Sequence, residues 1–260
     1  MNSTPYKQPL WVVGDIHGHF SKMKRLLQDA GLIDGSLKWA GGNARLWFIG
    51  DFFDRGPDGI SSLALAMKLQ DEAANAGGSV NSLIGNHEVA ILSAARFPKN
   101  DKLVQAWGRN GGMPDEREKL TPDMIDWLLY LPLIARVEDY LLIHADAGFY
   151  PLFGSTRDAV NSNFSAAIQS KDDSAYEYLI DVFAEHKAFF KGQESGIARA
   201  EYLLQLYGGK QIIHGHTPIH HMTEQPPASV DAPFIYADNL CMNVDGSIYS
   251  GGNGFAYQLG

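Results

Sequence analysis

The chain has 260 residues, which allows one large domain or two small ones, and 45% of them are hydrophobic, enough for a sizeable core. Lys and Arg total 21 against 30 Asp and Glu, a formal charge of −9, so a diffuse acidic surface argues against nucleic acid as a bulk partner. No stretch reaches the ~18 consecutive apolar residues of a membrane span. Met1–Pro9 lacks the apolar centre of a signal peptide. Cys241 is the only cysteine, which excludes an intrachain disulfide and a thiolate metal cluster. These features together predict a cytoplasmic protein with no membrane contact. A small anionic substrate remains compatible with the acidic surface if metal ions and a few arginines make one site locally positive.

Leu10–Val13 is a short β-branched run ending at Gly14-Asp15-Ile16-His17-Gly18-His19. The spacing of Met23, Leu26, Leu27 and Ala30 predicts a helix next, with Ser21 as its N-cap and Gly31 as its stop. Residues 44–49 repeat the pattern: a strand ends at Gly50-Asp51-Phe52-Phe53-Asp54-Arg55-Gly56, and a helix runs from about Asp58 to Gly77-Gly78. A third strand around Val80 leads into Gly85-Asn86-His87-Glu88 and a helix over Val89–Ala95. Strands alternating with helices predict a parallel-type sheet with helices on its faces.

Beyond this the pattern loosens. Residues 97–122, including Arg109-Asn110-Gly111-Gly112, read as loop, and Thr121-Pro122 caps a helix carrying Ile125, Leu128 and Leu129. Ile134–Val137 and Tyr140–Ile143 read as strands joined at Glu138-Asp139, the second ending at His144-Ala145-Asp146. Residues 150–207 read as mostly helical, over Ala175–Phe190 and Ala198–Tyr207, and form an insertion bordering the site within a single domain spanning 1–260. Gln211–Ile213 is a strand ending at His214-Gly215-His216-Thr217-Pro218. A Pro-rich surface loop with His220 and His221 follows, then strands at Phe234–Ala237, Cys241–Val244, Ile248-Tyr249 and Phe255–Leu259. Asp245-Gly246 is a hairpin signal.

Five strand ends therefore carry chemistry. Asp15 and His17 are two residues apart, which places both on one side of an extended chain. With Asp51 they make a mixed oxygen and nitrogen set suited to Mn²⁺, Fe or Zn²⁺ rather than Ca²⁺. Asn86 adds a carbonyl oxygen, and His144 and His216 add imidazole nitrogens. One carboxylate shared between two cations would hold them ~3.5–4 Å apart, the spacing used for in-line displacement at phosphorus.

Gly14-Asp15-Ile16-His17-Gly18, the Gly50–Gly56 stretch and Gly85-Asn86-His87-Glu88 resemble the three signature motifs of the calcineurin-like metallophosphoesterases. The Asp-Arg-Gly of the second and the full Gly-Asn-His-Glu of the third resemble the PPP branch. That branch holds serine/threonine protein phosphatases, lambda-type phosphatases and symmetrical diadenosine tetraphosphate hydrolases. Ile143-His144-Ala145-Asp146 and Gly215-His216-Thr217-Pro218 look most like its lambda-type and bacterial members.

The resemblance implies an α/β fold with a β-sandwich core flanked by helices, and two divalent metal ions, with Mn²⁺ the first expectation. It implies that Asp15, His17 and Asp51 hold the first ion, that Asp51 bridges, and that Asn86, His144 and His216 complete the second. A hydroxide bridging the ions would attack phosphorus in line. His87, oriented by Asp54, would protonate the leaving oxygen, and Arg55 would grip the phosphoryl oxygens. Arg109 resembles a second substrate-side group. Arg199, with Lys187 in reserve, is the candidate for a later arginine. Pro218 stands, as in the PPP branch, where many wider superfamily members carry a further histidine, so the resemblance implies that the first ion loses one protein ligand and that water or substrate fills the gap.

The leading expectation is a phosphomonoesterase acting on a phosphoprotein or small phosphomonoester. The alternative is a dinucleoside polyphosphate or nucleotide pyrophosphohydrolase, and a silent metal-binding protein is a third reading that the intact residue set opposes. Within the motif stretches, His19 reads as a turn or supporting residue, His214 as supporting or packing, and Asp146 as a support for His144 or a cap. His220 and His221 read as solvated, His186 as a helix face, and Cys241 as core.

Overall fold

A computed structural model describes residues 7–190 and 192–260. Most of the stretch read for a signal peptide, and Lys191 within the helical segment, lie outside the described residues. Among the described residues no helix is long and apolar enough to cross a membrane.

The first half is built as the alternation predicts. Strand β1 (Leu10–Val13) leads to helix α1 (Phe20–Asp29), β2 (Arg45–Phe48) to α2 (Gly59–Asn75), and β3 (Ser79–Ser82) to α3 (Asn86–Arg96). β1, β2 and β3 pair in parallel, and β9 (Ala256–Leu259) closes the other edge antiparallel to β1. The second sheet has the order β4 (Ile134–Val137), β5 (Tyr140–Ile143), β6 (Gln211–His214), β8 (Cys241–Asn243) and β7 (Phe234–Tyr236). β5, β6 and β8 are parallel, with β4 and β7 antiparallel at the edges.

The two-residue period of a strand sorts the core into layers. Leu10 and Val12 of β1 meet Leu142 of β5, Ile213 of β6 and Met242 of β8 in one cluster. Their neighbours Val13, Leu141, Ile143, Ile212 and Cys241 point the other way and join the helices in a second cluster. Both faces of both sheets are therefore buried, which is why the parallel strands read as nearly continuous apolar runs. The carboxyl ends of β1, β2, β3, β5 and β6 carry the five motifs, where open α/β sheets place ligands.

Several elements differ from the sequence reading, each for a physical reason. Ser21 does not cap α1; the helix starts at Phe20, with His19 at the cap position and no side-chain cap. Residues 97–122 are not loop but hold α4 (Asp101–Arg109) and α5 (Pro114–Lys119) ahead of α6 (Pro122–Leu129). α4 buries only Leu103 and Trp107, a periodic signal of two positions. In the helical segment, α7 (Arg157–Ile168) was not anticipated, although Val160, Phe164 and Ile168 are buried at i, i+4, i+8 behind a Thr156 cap. α8 (Asp173–Val182) stops well short of Phe190, and α9 (Gln193–Tyr207) follows. The chain after α8 leaves the helix because Asp146 holds it: its Oδ2 accepts from the Lys187 amide at 2.9 Å and its carbonyl from the Ala188 amide at 2.9 Å.

Near the C-terminus, Ile219–Thr223 forms a short helix, α10, rather than loop. Asp245-Gly246 makes no hairpin; Ile248–Ser250 is a single 3-10 turn entered through Ser247 at φ 59° and left through Gly251 at φ 102°. The reversal lies instead between β7 and β8, where Ala237, Asp238 and Asn239 take φ of 53°, 52° and 66°.

Candidate metal centre and active site

The site is assembled from strained turns. His17, Asp51, Asp54, Arg55 and His216 all have positive φ (46°, 59°, 68°, 64° and 68°), a conformation costly for non-glycine residues and retained where packing over-determines it. Glycines admit the close approaches: a Cβ on Gly85 would stand 2.1 Å from Asp51 Oδ1, and one on Gly215 2.1 Å from Asp15 Oδ1. The His216 amide donates to both Asp15 oxygens, at 3.2 and 3.1 Å, so the last motif is tied to the first.

Imidazole orientation follows from fixed carbonyl partners. His17 Nδ1 lies 3.1 Å from the Phe53 carbonyl, which turns Nε2 toward Asp15 Oδ2 and Asp51 Oδ2, each at 3.8 Å. His144 Nδ1 lies 2.8 Å from the Ile49 carbonyl, which turns Nε2 toward Asn86 Oδ1 at 2.9 Å and Asp51 Oδ2 at 3.4 Å. His216 Nδ1 meets the same Asn86 oxygen at 2.8 Å. Asp51 Oδ2 thus faces His17 on one side and His144 on the other.

The donor set fits two divalent cations. His144 Nε2 and His216 Nδ1 converge on the one Asn86 oxygen beside Asp51 Oδ2, and the buried His216 Nε2 has no protein partner. The Asp15 and Asp51 carboxylates are buried, and among the described residues no lysine or arginine is buried with them. Burial followed by the neighbouring Asp245 carboxylate pushes Asp15 well above its ordinary range. Burial opposes a proton on His144, yet the Asp51 carboxylate outweighs it and lifts that imidazole to about 10. Burial holds His17 and His216 well below the usual histidine range, as neutral ligands require.

A further layer of contacts holds the His87 turn. His87 Nδ1 lies 2.6 Å from Asp54 Oδ2, while the Trp107 indole donates to Asp54 Oδ1 at 2.9 Å. Both Asp54 oxygens are engaged, so the carboxylate fixes the ring, and the buried His87 Nε2 is left without a protein partner 4.0 Å from Asp51 Oδ2. Glu88 accepts from the amides of Asp51, Phe52 and Gly85, each at 2.8 Å, and clamps two of the motif turns together. Burial and the Asp51 charge push Glu88 up to about 7.

Arg55 reaches the site with its guanidinium 4.1 Å over the Tyr249 ring and Nη1 3.4 Å from His17 Nε2. A cleft of about 230 Å³ opens on Asp51, Arg55, Asn86, His87 and His216, walled by Asn110 and by Ile180, Phe183 and His186 of the helical segment. Arg109 ends α4 in solvent and does not line this cleft; its neighbour Asn110 does. Arg199 is also outside it, ion-paired to Glu185 at 2.8 Å, and Lys187 Nζ donates to the His221 carbonyl at 2.6 Å. Of the remaining histidines, His214 packs against the Tyr236 hydroxyl at 2.8 Å and His220 against Ser247 Oγ at 3.0 Å.

The sequence reading gave no role to Glu88, Trp107, Tyr249 or Asp245, and took His186 for a helix face. Glu88 stood inside a quoted motif and was within reach. The other four come from distant segments, and no local pattern marks them. His186 lies on the loop after α8, its ring stacked on His216 at 4.0 Å with Nδ1 3.1 Å from Thr217 Oγ1.

Two packed sheets with a buried carboxylate and imidazole cradle at the carboxyl ends of their parallel strands define a metallophosphoesterase, a metal-dependent class of hydrolase. The pattern of the calcineurin-like phosphoesterase family matches residues 8–220, and the chain belongs to that family. It is similar to a symmetrical bis(5'-nucleosyl)-tetraphosphatase of Vibrio campbellii, 25% identical over 199 residues, covering 76% of this chain and 65% of that one. It is also similar to Shewanella-like protein phosphatase 2 of Arabidopsis thaliana, 39% identical over 88 residues, covering 33% of this chain and 22% of that one. The chain thus spans less than two thirds of the length of both relatives. In fold it is similar to a cold-active protein-tyrosine phosphatase of a psychrophilic Shewanella species, with a TM-score of 0.71 and 23% identity, over 95% of this chain and 73% of that one.

Proposed function

We propose that the chain is a two-metal phosphoesterase that cleaves the phosphoric anhydride of a dinucleoside polyphosphate. Asp15, His17 and Asp51 would hold one cation, and Asp51, Asn86, His144 and His216 the other. The bound cations would supply Lewis acidity and neutralise the charge that builds on the transferring phosphoryl group. Arg55, splayed on Tyr249, grips the phosphoryl oxygens in bidentate fashion. His87 gives its Nε2 proton to the leaving oxygen, and Asp54, itself held by Trp107, keeps the ring aimed and balances its charge.

The observation that carries the substrate reading is the wall of the cleft. Ile180, Phe183 and His186 bring apolar and ring surfaces into the same cleft as Arg55, which suits a nucleoside beside the scissile phosphates. At about 230 Å³ the cleft takes the phosphates, with the nucleosides lying over its rim. The long match to the Vibrio tetraphosphatase supports the same choice over the monoesterase expected first.

A phosphomonoester or phosphopeptide is the second reading. It is favoured by the presence of one arginine, Arg55, in the cleft and by the 88-residue likeness to the Arabidopsis phosphatase. Turnover with Mn²⁺ on diadenosine tetraphosphate, a phosphopeptide and p-nitrophenyl phosphate separates the two. Selective cleavage of the dinucleotide is expected. Cleavage of the phosphopeptide with the dinucleotide untouched would favour the second reading, and silence on all three with metal bound would remove both.

A further inference from the structure

Asp245 follows β8 and is 0% exposed. Its Oδ1 accepts from the Ser247 amide at 2.9 Å, while Oδ2 is buried with no hydrogen-bond partner. A buried carboxylate oxygen left unpaired is costly unless a cation answers it.

Its surroundings place Asp245 beside the first and last motifs. The backbone of residues 244–245 lies against the end of β1: a Cβ on Gly14 would stand 2.2 Å from the Val244 carbonyl and 3.0 Å from the Asp245 amide nitrogen. The Ile219 amide donates to the Asp245 carbonyl at 3.2 Å, and the Asp245 amide donates to Asn243, whose side chain donates to the Thr217 carbonyl. Asp245 is thereby anchored between the first and last motifs. The charged groups that act on it are Asp51, Arg55 and His144, and after burial it is the main reason that Asp15 is raised. Three buried carboxylates, Asp15, Asp51 and Asp245, thus act on one another at one end of the sandwich.

We propose that Asp245 is a further anionic group at the first metal position, acting with Asp15, through its free Oδ2, to hold a divalent cation there. The inference rests on the two-metal reading above. Asp245 is a positioning residue for the cation and has no contact with substrate.

The test compares wild type with Asp245→Asn, which keeps the Oδ1 acceptor and removes the charge. Mn²⁺ content after dialysis, chelator competition and thermal unfolding with and without Mn²⁺ are the readouts. Wild type should hold two ions, whereas the variant should hold one and bind the other ~10–100-fold more weakly, the usual cost of losing a supporting carboxylate. The metal-free variant should melt higher than metal-free wild type, because an unanswered buried charge is gone, and should gain less from Mn²⁺. Asp245→Ser should move metal affinity and the Mn²⁺-induced rise in the same directions. Wild-type affinity for both ions, with a lower metal-free melting temperature, would overturn the proposal and leave Asp245 a structural residue. Wild type failing to bind two ions would instead overturn the two-metal reading itself.

Discussion

At the scale of single residues, Asp51 and His87 are held by different partners. Asp51 Oδ2 faces His17 and His144 from opposite sides, whereas His87 meets Asp51 only at 4.0 Å and is anchored through Asp54. Asp51→Asn should therefore lower metal content at both positions; two ions still present after dialysis would refute the bridge. His87→Ala should keep both ions and lower kcat by roughly 10²–10⁴-fold, the usual range for a positioned general acid. Near wild-type kcat in that variant would remove His87 from the chemistry.

At the scale of elements, the strands separate core building from site building by their two-residue period. Leu142 of β5 points between the sheets, Leu141 and Ile143 point to the helices, and His144 follows at the strand end. Leu142→Ala opens a cavity between the layers and should cost about 2–5 kcal/mol in urea unfolding, while the Mn²⁺ stoichiometry of the folded fraction stays unchanged. α4 works differently: it adds Leu103 and Trp107 to the core, and the Trp107 indole also reaches Asp54.

At the scale of the molecule, the sandwich buries ionisable groups away from the cleft as well as in it. His214 is fully buried at the end of β6, and burial lowers it to about 4. Above the unfolded value near 6.5, both states are neutral and the group contributes no pH dependence. Below it, the unfolded chain takes a proton that the folded chain refuses until about pH 4, so stability falls as pH drops through that window. Between pH 7 and 5 this single group should remove about 2 kcal/mol. Urea unfolding in EDTA at both pH values should show that loss in wild type and a smaller one in His214→Gln; parallel losses would mean that His214 does not set the slope.

How much was legible in advance follows from how far each signal reaches along the chain. β-turn-α order, the strand positions and the grouping of Asp15, His17, Asp51, Asn86, His87, His144 and His216 were determined by the sequence, because strand period and glycine-bearing turns are encoded within a few neighbours. Asp245-Gly246 shows the limit. As a dipeptide it signals a hairpin, yet the packing of residues 244–245 against Gly14 leaves Asp245 a buried carboxylate behind the first motif. Arg109 and Arg199 had the right charge but lie outside the cleft, and the groups that do wall it, such as Asn110, Phe183 and His186, come from segments without a motif. Those placements depend on how α4, the loop after α8 and the chain after β8 pack across the ends of two sheets. Packing between segments far apart in the chain, such as Asp54 against Trp107, 53 residues on, is a property of the closed tertiary structure, so only that structure decided which side chains wall the cleft and which remain in solvent.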